Sequence, residues 1–356
     1  MMTPKQRWLA ILNHQEPDRL PVDYWATGEF THKLREALQL DKNGAASTLG
    51  PDEDLWRRLG IDRPRGIGPR WKLKHHPDGP QTDMWGIRYA NVSYGTGEYG
   101  ETVYHPLAQF TTVRELENYP WPSPDDFDYQ AIRDAVAEDD DYRMIQGTGY
   151  EPFLLYCAMR GMEQAYEDLL IEPDFVEAGL GQLFKFYYEF NRRSLEAGGG
   201  KIGLFYLAED LAGQHGPLFS LETYRRFLRP GQQKMAALAK SYGAHVFYHT
   251  DGAARVFIPD LIEVVGIEIL NPLQWRCPGM ELDGLVRDFG SHIAFHGGID
   301  NQKTLPFGTV QEVREEVRQM AAIMKGHRWI CAPCHNIQAV SPPENVIAMY
   351  EQAHML

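Results

Sequence analysis

The sequence of 356 residues has few cysteines, no long apolar run and no excess of positive charge. Four cysteines are too few for a disulfide scaffold in a chain of this length, and they favour a reducing, cytoplasmic compartment. No apolar run is long enough to cross a membrane, and the amino terminus lacks a signal-peptide core. The formal net charge of −14 argues against nucleic acid or an anionic membrane as a partner.

The common catalytic and phosphate-binding motifs are absent as well. The chain contains no P-loop, no HExxH, no GxSxG nucleophile elbow and no EF-hand loop. What remains is an ordinary globular composition, with 43% hydrophobic and 24% charged residues. The length fits either two average domains or one large α/β barrel.

Strand-like and helix-like segments alternate along most of the chain. Thr3 and Thr309 begin capping boxes at two helix starts, and Ser341 is predicted to do the same for the last helix. The predicted strands are 19–25, 65–68, 144–148, 202–207, 246–249, 267–270, 293–296 and 329–332. Eight strands separated by helices predict a single-domain (β/α)8 TIM barrel over residues 1–356, with an N-terminal helical extension. A doubly wound open sheet is the alternative.

Residues 71–125 interrupt this alternation. Segments 85–94 and 101–104 have the composition of two hairpin arms around a glycine-rich turn. The turn matches the GxGxxG pattern, but a strand-like run follows it where a dinucleotide site needs a helix. We therefore expect a β-hairpin insertion within the barrel domain.

Potential metal ligands lie close together in two places, each at the end of a predicted strand. His249 and Asp251 close one strand, and Cys334 and His335 follow the last one. The carboxyl ends of barrel strands meet at one face, where the active sites of such barrels lie. His249 with Asp251 and either Cys334 or His335 would give three ligands, the pattern of a catalytic zinc site. The alternative is a structural histidine beside an aspartate that caps the next helix.

Several segments at these strand ends carry a family resemblance. They are Ala208-Glu-Asp-Leu-Ala-Gly-Gln-His-Gly-Pro217, His249-Thr-Asp-Gly252, Ile269-Leu-Asn-Pro-Leu-Gln274, Phe295-His-Gly-Gly-Ile-Asp300 with Leu305-Pro-Phe-Gly-Thr309, and Ala332-Pro-Cys-His-Asn-Ile-Gln338 with Pro343-Glu-Asn345. Together they resemble the uroporphyrinogen decarboxylase superfamily over most of the chain. The resemblance implies a (β/α)8 barrel with the active site in its mouth, and often a homodimer.

The superfamily has two familiar activities, and the sequence departs from both patterns. Porphyrinogen decarboxylases work without metal and carry Arg-x-Ala-Gly-Arg after the first strand, where this chain has Trp25-Ala-Thr-Gly-Glu29. Glu29 is expected to face the cavity and to repel a polycarboxylate. Zinc methyltransferases carry His-x-Cys and a later cysteine, where this chain has His249-Thr-Asp251 and Cys334 or His335. Such a ligand set suits the polarising of an oxygen better than the activation of a thiol.

The resemblance and these departures together predict a zinc-dependent methyltransferase. It would demethylate a small donor and pass the methyl group to a partner corrinoid protein. The alternative is a metal-free decarboxylase or lyase of the same family, acting on a smaller, non-porphyrin substrate. Both readings of the sequence place the reaction in the barrel mouth.

The predicted site residues all lie at strand ends. The predicted metal ligands are His249, Asp251, Cys334 and His335. The predicted catalytic residues are Asp210, Asp251, His296 and His335. The predicted substrate-binding residues are Trp25, Glu29, Tyr150, Glu151, Gln214, Asn271, Gln274 and Asp300. Aromatic rings beside carboxylates, with Phe153 and Tyr156 as further candidates, suit a methylated cation or a methoxylated aromatic ring.

Overall fold

A seven-stranded parallel sheet forms the centre of the molecule. The computed structural model describes residues 1–41, 44, 50–93, 95 and 98–356. The strands of the sheet are β1 (Arg65–Gly66), β2 (Ile145–Tyr150), β3 (Ile202–Ala208), β4 (His245–His249), β5 (Ile269–Asn271), β6 (Ala294–Ile299) and β7 (Trp329–Pro333). They lie side by side in chain order. All seven carboxyl ends therefore point to the same edge.

The first predicted strand, 19–25, is present as isolated bridges instead of a continuous strand. Val22 pairs with Cys331 of β7, and Ala26 pairs with Ile337, both in parallel orientation. On the other side, the N–H of Asp62, shortly before β1, donates to the carbonyl of Val22 over 2.8 Å. The sheet is therefore curled, with both of its edges bonded to this segment. The prediction of a TIM-like parallel sheet is confirmed at this level, with seven of the eight strands present.

Helices surround the sheet. The α-helices are Pro4–Leu12, Gly28–Ala37, Glu53–Arg58, Val113–Glu117, Gln130–Ala137, Pro152–Arg160, Met162–Ile171, Pro173–Ala197, Leu221–Phe227, Arg229–Ser241, Ile258–Asp260, Leu282–Phe289, Thr304–Phe307, Val310–Ile323 and Pro343–Ala353. Shorter turns of 3₁₀ or π geometry lie at Pro124–Asp126, Arg255–Phe257 and Leu261–Val265. None of the described helices is both long and apolar enough to cross a membrane.

The capping boxes predicted at Thr3 and Thr309 are present. In each, the threonine hydroxyl accepts the N–H three residues on, and that residue's side chain accepts the threonine N–H. The third prediction was wrong. The last helix begins after Pro342 without a side-chain cap, and the Ser341 hydroxyl oxygen is buried with no partner among the described residues.

The first helix, Pro4–Leu12, covers the amino end of the sheet. Trp8, Ile11 and Leu12 are buried on its inner face. They form one cluster with Met144, Leu204, Phe247, Ile269, Ala294 and Ile330, which come from the first half of strands β2 to β7 or from just before them. The interior is therefore a packed core at this end, and the opposite, carboxyl end is left for chemistry.

The segment 71–125 contains the predicted hairpin. Arg88–Ser93 pairs antiparallel with Glu98–Tyr104, and part of the turn between them lies outside the described residues. A second short pair, Arg70–Trp71 with Phe127–Asp128, joins the two ends of the segment. The hairpin arms are displaced by three residues from their predicted starts, 85 and 101.

Candidate metal centre

Three potential metal ligands meet at the carboxyl end of the sheet. His249 ends β4, Asp251 follows it in the next loop, and His335 lies just after β7. Their ligand atoms all lie within 4.8 Å of one another. The Oδ2 atom of Asp251 is 4.0 Å from Nε2 of His249 and 3.7 Å from Nε2 of His335. Two imidazoles and a carboxylate at this spacing can hold one ion and leave a coordination position open.

The other oxygen of Asp251 also indicates a ligand. Oδ1 is buried and has no hydrogen-bond partner among the described residues. Burial raises the pKa of this carboxyl group, while the facing imidazoles of His249 and His335 act in the opposite direction. A buried carboxylate oxygen without a donor is costly, and native structures usually satisfy it with water or an ion. The donor set and this oxygen both fit a bound divalent cation.

Cys334, which the sequence left as an alternative to His335, makes a different contact. Its thiol donates to the carbonyl of Leu273 over 3.1 Å and is 4% exposed. Burial raises the pKa of this thiol well above its usual range. Because the thiolate is the form that binds metal, the structure favours His335 as the third ligand. The placing of Cys334 among the metal ligands is corrected accordingly.

Two aromatic rings, which also lie close to each other, pack against His249. Trp25 stacks on it with 5.6 Å between ring centroids, and Tyr206 stacks at 6.0 Å. Nδ1 of His249 lies 2.6 Å from Oδ1 of Asn271, so Nε2 is the nitrogen that faces Asp251. Tyr206 was not predicted from the sequence. Its signal is the alternation along β3, where Leu204 belongs to the interior cluster and residues on the same face follow at every second position.

Two further carboxylates lie at neighbouring strand ends. Glu151 follows β2 and Asp210 follows β3. Burial raises the pKa of Glu151, and the negative charges of Asp210 and Asp251 add to that shift against the effect of His249. In the described part of the chain, no lysine or arginine pairs with either carboxylate. The open end of the sheet therefore carries unbalanced negative charge beside the His249–Asp251–His335 group.

Two predicted site residues lie behind His249, out of reach of a substrate. Asn271 and His296 are both 0% exposed. Nδ2 of Asn271 is 2.7 Å from Nδ1 of His296, and Nε2 of His296 is 3.0 Å from Oδ2 of Asp23. The predicted catalytic contact of His296 and substrate contact of Asn271 are therefore corrected. Asp23 was not predicted as a site residue. The sequence indicates it only by placing a single carboxylate within the otherwise apolar run Pro-Val-Asp-Tyr.

Three more predicted substrate contacts are engaged elsewhere. Glu29 is exposed in the first turn of its helix, where hydrogen bonds from its own backbone N–H and from Thr27 lower its pKa. Tyr150 packs edge-on against Tyr187 of the long helix Pro173–Ala197, outside the sheet, with 5.4 Å between ring centroids. Asp300 forms an ion pair of 2.5 Å with Arg276. Each of these side chains therefore has a structural contact of its own, and the three substrate contacts remain predictions.

The remaining predicted contacts support the loop that carries Asp251. Oε1 of Gln274 accepts the N–H of Gly252 over 2.5 Å and the amide N–H of Gln214 over 3.0 Å. Gln214 is exposed and remains available to a ligand at the rim. Phe153 and Tyr156 are buried in the helix layer and leave the open end to Trp25 and Tyr206.

The fold and this site define the class of the protein: a TIM-like α/β protein with a candidate metal centre at the carboxyl ends of its strands. Residues 90–356 match the uroporphyrinogen decarboxylase (URO-D) family, and the chain belongs to that family. The resemblance seen in the sequence is thereby confirmed.

One solved structure supports this description of the fold. A methyltransferase from Methanosarcina mazei is similar over 99% of this chain and 98% of its own, with a TM-score of 0.70 and 18% identity. A B12-independent methionine synthase from Shewanella sp. W3-18-1, in complex with selenomethionine, covers 96% of this chain and 94% of its own with a TM-score of 0.41 and 11% identity. None of the curated proteins matches the chain.

Proposed function

We propose that the protein is a zinc-dependent methyltransferase that takes a methyl group from a small donor and delivers it to a corrinoid protein. Its sheet would close, with residues 19–26 as the eighth strand, into a (β/α)8 barrel. The observation that carries the proposal is the group of His249, Asp251 and His335, with ligand atoms within 4.8 Å of one another at the open end of the sheet. The fold shared with the M. mazei methyltransferase supports it.

Zinc suits this donor set, because it accepts imidazole nitrogen and carboxylate oxygen in a four-coordinate site. His249, Asp251 and His335 would hold it. When bound, zinc would supply Lewis acidity toward an oxygen or nitrogen of the methyl donor. Two neutral imidazoles and one carboxylate leave the ion with net positive charge, which favours that role over thiol activation.

The surrounding residues would select and position the donor. Trp25 and Tyr206 present aromatic faces beside His249, and Glu151 and Asp210 add negative charge. Aromatic faces and carboxylates together favour a methylated cation or a methoxylated ring over a polyanion. The repulsion of a porphyrinogen, first assigned to Glu29, is better assigned to Glu151 and Asp210.

A metal-free decarboxylase or lyase is the second candidate, favoured by the family that the chain belongs to. It would use the carboxylates at the open end as acid and base groups, with no need for His249 and His335 to share an ion. Metal content separates the two candidates. The corrinoid partner, and a homodimer as in many family members, are parts of the first proposal that need their own tests.

The first experiment is elemental analysis of the purified protein after incubation with zinc and removal of the excess. Wild type should retain about one zinc ion per chain. His335→Ala, at a partly exposed position, should lose it, while the matched control Cys334→Ala should keep it. Wild type without bound metal, or a His335→Ala variant that binds as well as wild type, would contradict the proposal.

The second experiment measures methyl transfer to reduced cobalamin in solution. Quaternary amines, methoxyaromatic compounds and a porphyrinogen would each be offered to the zinc-loaded protein. Methyl-cobalamin should form with a donor of one of the first two classes. Decarboxylation of the porphyrinogen, with no methyl transfer from any donor, would favour the second candidate instead.

A further inference from the structure

A chain of buried hydrogen bonds runs from His249 into the interior. His249 Nδ1 contacts Asn271 Oδ1 at 2.6 Å, and Asn271 Nδ2 contacts His296 Nδ1 at 2.7 Å. His296 Nε2 then contacts Asp23 Oδ2 at 3.0 Å. The register of the sheet explains this order. His249 of β4 lies opposite Asn271 of β5. Leu270 of β5 lies opposite Phe295 of β6, so the next residues along these two strands, Asn271 and His296, are neighbours as well. All four side chains are buried.

The far end of the chain has a fixed direction. Oδ1 of Asp23 accepts the N–H of Tyr24 over 2.7 Å, and Oδ2 accepts the indole N–H of Trp25 over 2.9 Å. Arg63 lies 3.6 Å from Oδ1. Although burial opposes ionisation, the hydrogen bond from His296 and the charge of Arg63 keep the pKa of Asp23 below its usual value. The N–H groups of Tyr24 and Trp25 can only donate, so both oxygens of Asp23 act as acceptors, and Nε2 of His296 is the donor of its contact with Oδ2.

The donor and acceptor of each following hydrogen bond are then determined as well. With its proton on Nε2, a neutral His296 can only accept at Nδ1, so the Asn271 group that faces it is the amide nitrogen. The amide oxygen of Asn271 then faces His249, whose Nδ1 must carry a proton. This leaves the lone pair of His249 on Nε2, the nitrogen that lies 4.0 Å from Asp251 Oδ2.

We propose that Asp23, His296 and Asn271 are positioning residues, which together set the tautomer and the ring orientation of His249 so that its Nε2 lone pair points at the metal position. The metal itself rests on the proposed function, whereas the tautomer of His249 is a property of the metal-free protein. Outer partners of this kind are known to tune the affinity of metal-binding histidines. Here the controlling carboxylate belongs to a different strand end and contacts no ligand directly.

The direct test is long-range ¹H–¹⁵N correlation of the histidine side chains in metal-free wild type, with His249 assigned through a His249→Gln variant. The expected spectrum shows the proton of His249 on Nδ1 and that of His296 on Nε2. A His249 proton on Nε2 would overturn the inference. This measurement needs no zinc, and the His249→Gln variant serves only to assign the signals of wild type, so the result stands even if the proposed function fails.

Variants test whether the whole chain of contacts matters. Asn271→Leu keeps the shape but removes the acceptor, and should weaken zinc binding about 10- to 100-fold in competition with a chelating indicator. Asn271→Asp keeps an oxygen that faces His249 but has no N–H for Nδ1 of His296, so it should restore only part of the affinity. Asp23→Asn offers one oxygen where three N–H groups converge, and should weaken zinc binding about tenfold although three hydrogen bonds separate it from His249.

The matched control is Asp168→Asn, which removes a buried carboxylate paired with Arg160 away from the site. It should leave zinc affinity unchanged. Equal affinity in Asp23→Asn and wild type, or the same loss in Asp168→Asn as in Asp23→Asn, would overturn the role of Asp23. Failure of wild type to bind zinc would instead contradict the proposed function, and the histidine spectrum would still decide the tautomer.

Discussion

The two ends of the sheet hold buried carboxylates in opposite ways. At the amino end, both oxygens of Asp62 are fully engaged: Oδ1 accepts from Arg7 and Arg19, and Oδ2 accepts from Arg19 and from the N–H of Val22. At the carboxyl end, Asp251 faces two histidines without a normal hydrogen bond, and its Oδ1 has no partner among the described residues. The first carboxylate is satisfied by the protein itself, and the second is not.

This difference separates stability from function. Charges at the amino end balance, because Arg7 also pairs with Asp18. At the carboxyl end, the charges of Asp210 and Asp251 act on Glu151, and the opposing groups are the imidazoles of His249 and His335. A protein leaves buried groups unsatisfied mainly where a ligand completes them. Substitutions at one end at a time test whether the two ends differ in this way.

The largest effect is expected at the amino end. Asp62→Ala would leave Arg7 and Arg19 facing each other without their common acceptor, and should lower the free energy of unfolding by about 3–5 kcal/mol. Urea denaturation measures the loss. Asp18→Ala, which removes a more exposed partner of Arg7, is the control and should cost less. A loss in Asp62→Ala no larger than in that control would remove the distinction between the two ends.

Zinc should stabilise the carboxyl end by a comparable but smaller amount. At a concentration a hundred times its dissociation constant, zinc should raise the free energy of unfolding of wild type by about 2.7 kcal/mol. Asp251→Asn should abolish this gain while changing metal-free stability little, because Asp251 has few partners to lose. Denaturation with and without zinc gives both numbers. The same zinc-dependent gain in Asp251→Asn and wild type would show that the ion binds elsewhere.

The pH dependence of the metal-free protein gives a smaller effect. Burial raises the folded-state pKa of Glu151 above its unfolded value, with Asp210 and Asp251 adding to the shift. A group with a raised folded-state pKa contributes its full stabilisation below its unfolded-state pKa, which is about 4.3 for glutamate. This contribution is lost as the pH rises through the folded-state pKa. Glutamine does not ionise, so the Glu151→Gln variant does not lose stability in this way. The free energy of unfolding of the variant, relative to that of wild type, should therefore increase with pH.

Urea denaturation in the presence of a chelator, from acidic to neutral pH, follows this trend. The exposed Glu163→Gln variant is the control and should show a flat difference from wild type. A difference between Glu151→Gln and wild type that shrinks as pH rises would mean that the carboxylate is satisfied in the folded protein after all.

The smallest effect is expected for Tyr150→Phe. The ring of Tyr150 packs against the long helix Pro173–Ala197, outside the sheet. Loss of the hydroxyl group should therefore leave zinc affinity unchanged and alter the free energy of unfolding by less than about 1 kcal/mol. Tyr206→Phe provides the contrast inside the open end, beside His249. Weaker zinc binding in Tyr150→Phe than in Tyr206→Phe would reverse the assignment of these two rings.

The strand positions and the site at their ends were predictable because both follow from local patterns. Several of the strands contain a run of apolar residues, and the residue that closes a strand lies at the common edge whatever the details of packing. His249, Asp251 and His335 could therefore be grouped before any contact was known. The first predicted strand, 19–25, forms only isolated bridges, and its pairing with β7 depends on contacts across more than 300 residues.

Side-chain direction was the main source of error. Cys334 and His335 are adjacent, and only the turn after β7 decides which of them faces Asp251. Tyr150 ends its strand as His249 does, yet its side chain points to the helices, because alternate residues of a strand face opposite sides. The contact between His296 and Asp23 spans 273 positions, and no local pattern predicts such a pairing.

X-ray absorption at the zinc edge of the zinc-loaded protein tests the central claim most directly. A centre formed by His249, Asp251 and His335 predicts a first shell of nitrogen and oxygen only, at about 2.0–2.2 Å. Cys334→Ala should give the same spectrum. A sulfur shell at about 2.3 Å that disappears in Cys334→Ala would contradict the account, because the thiol would then be a ligand in place of one of these residues.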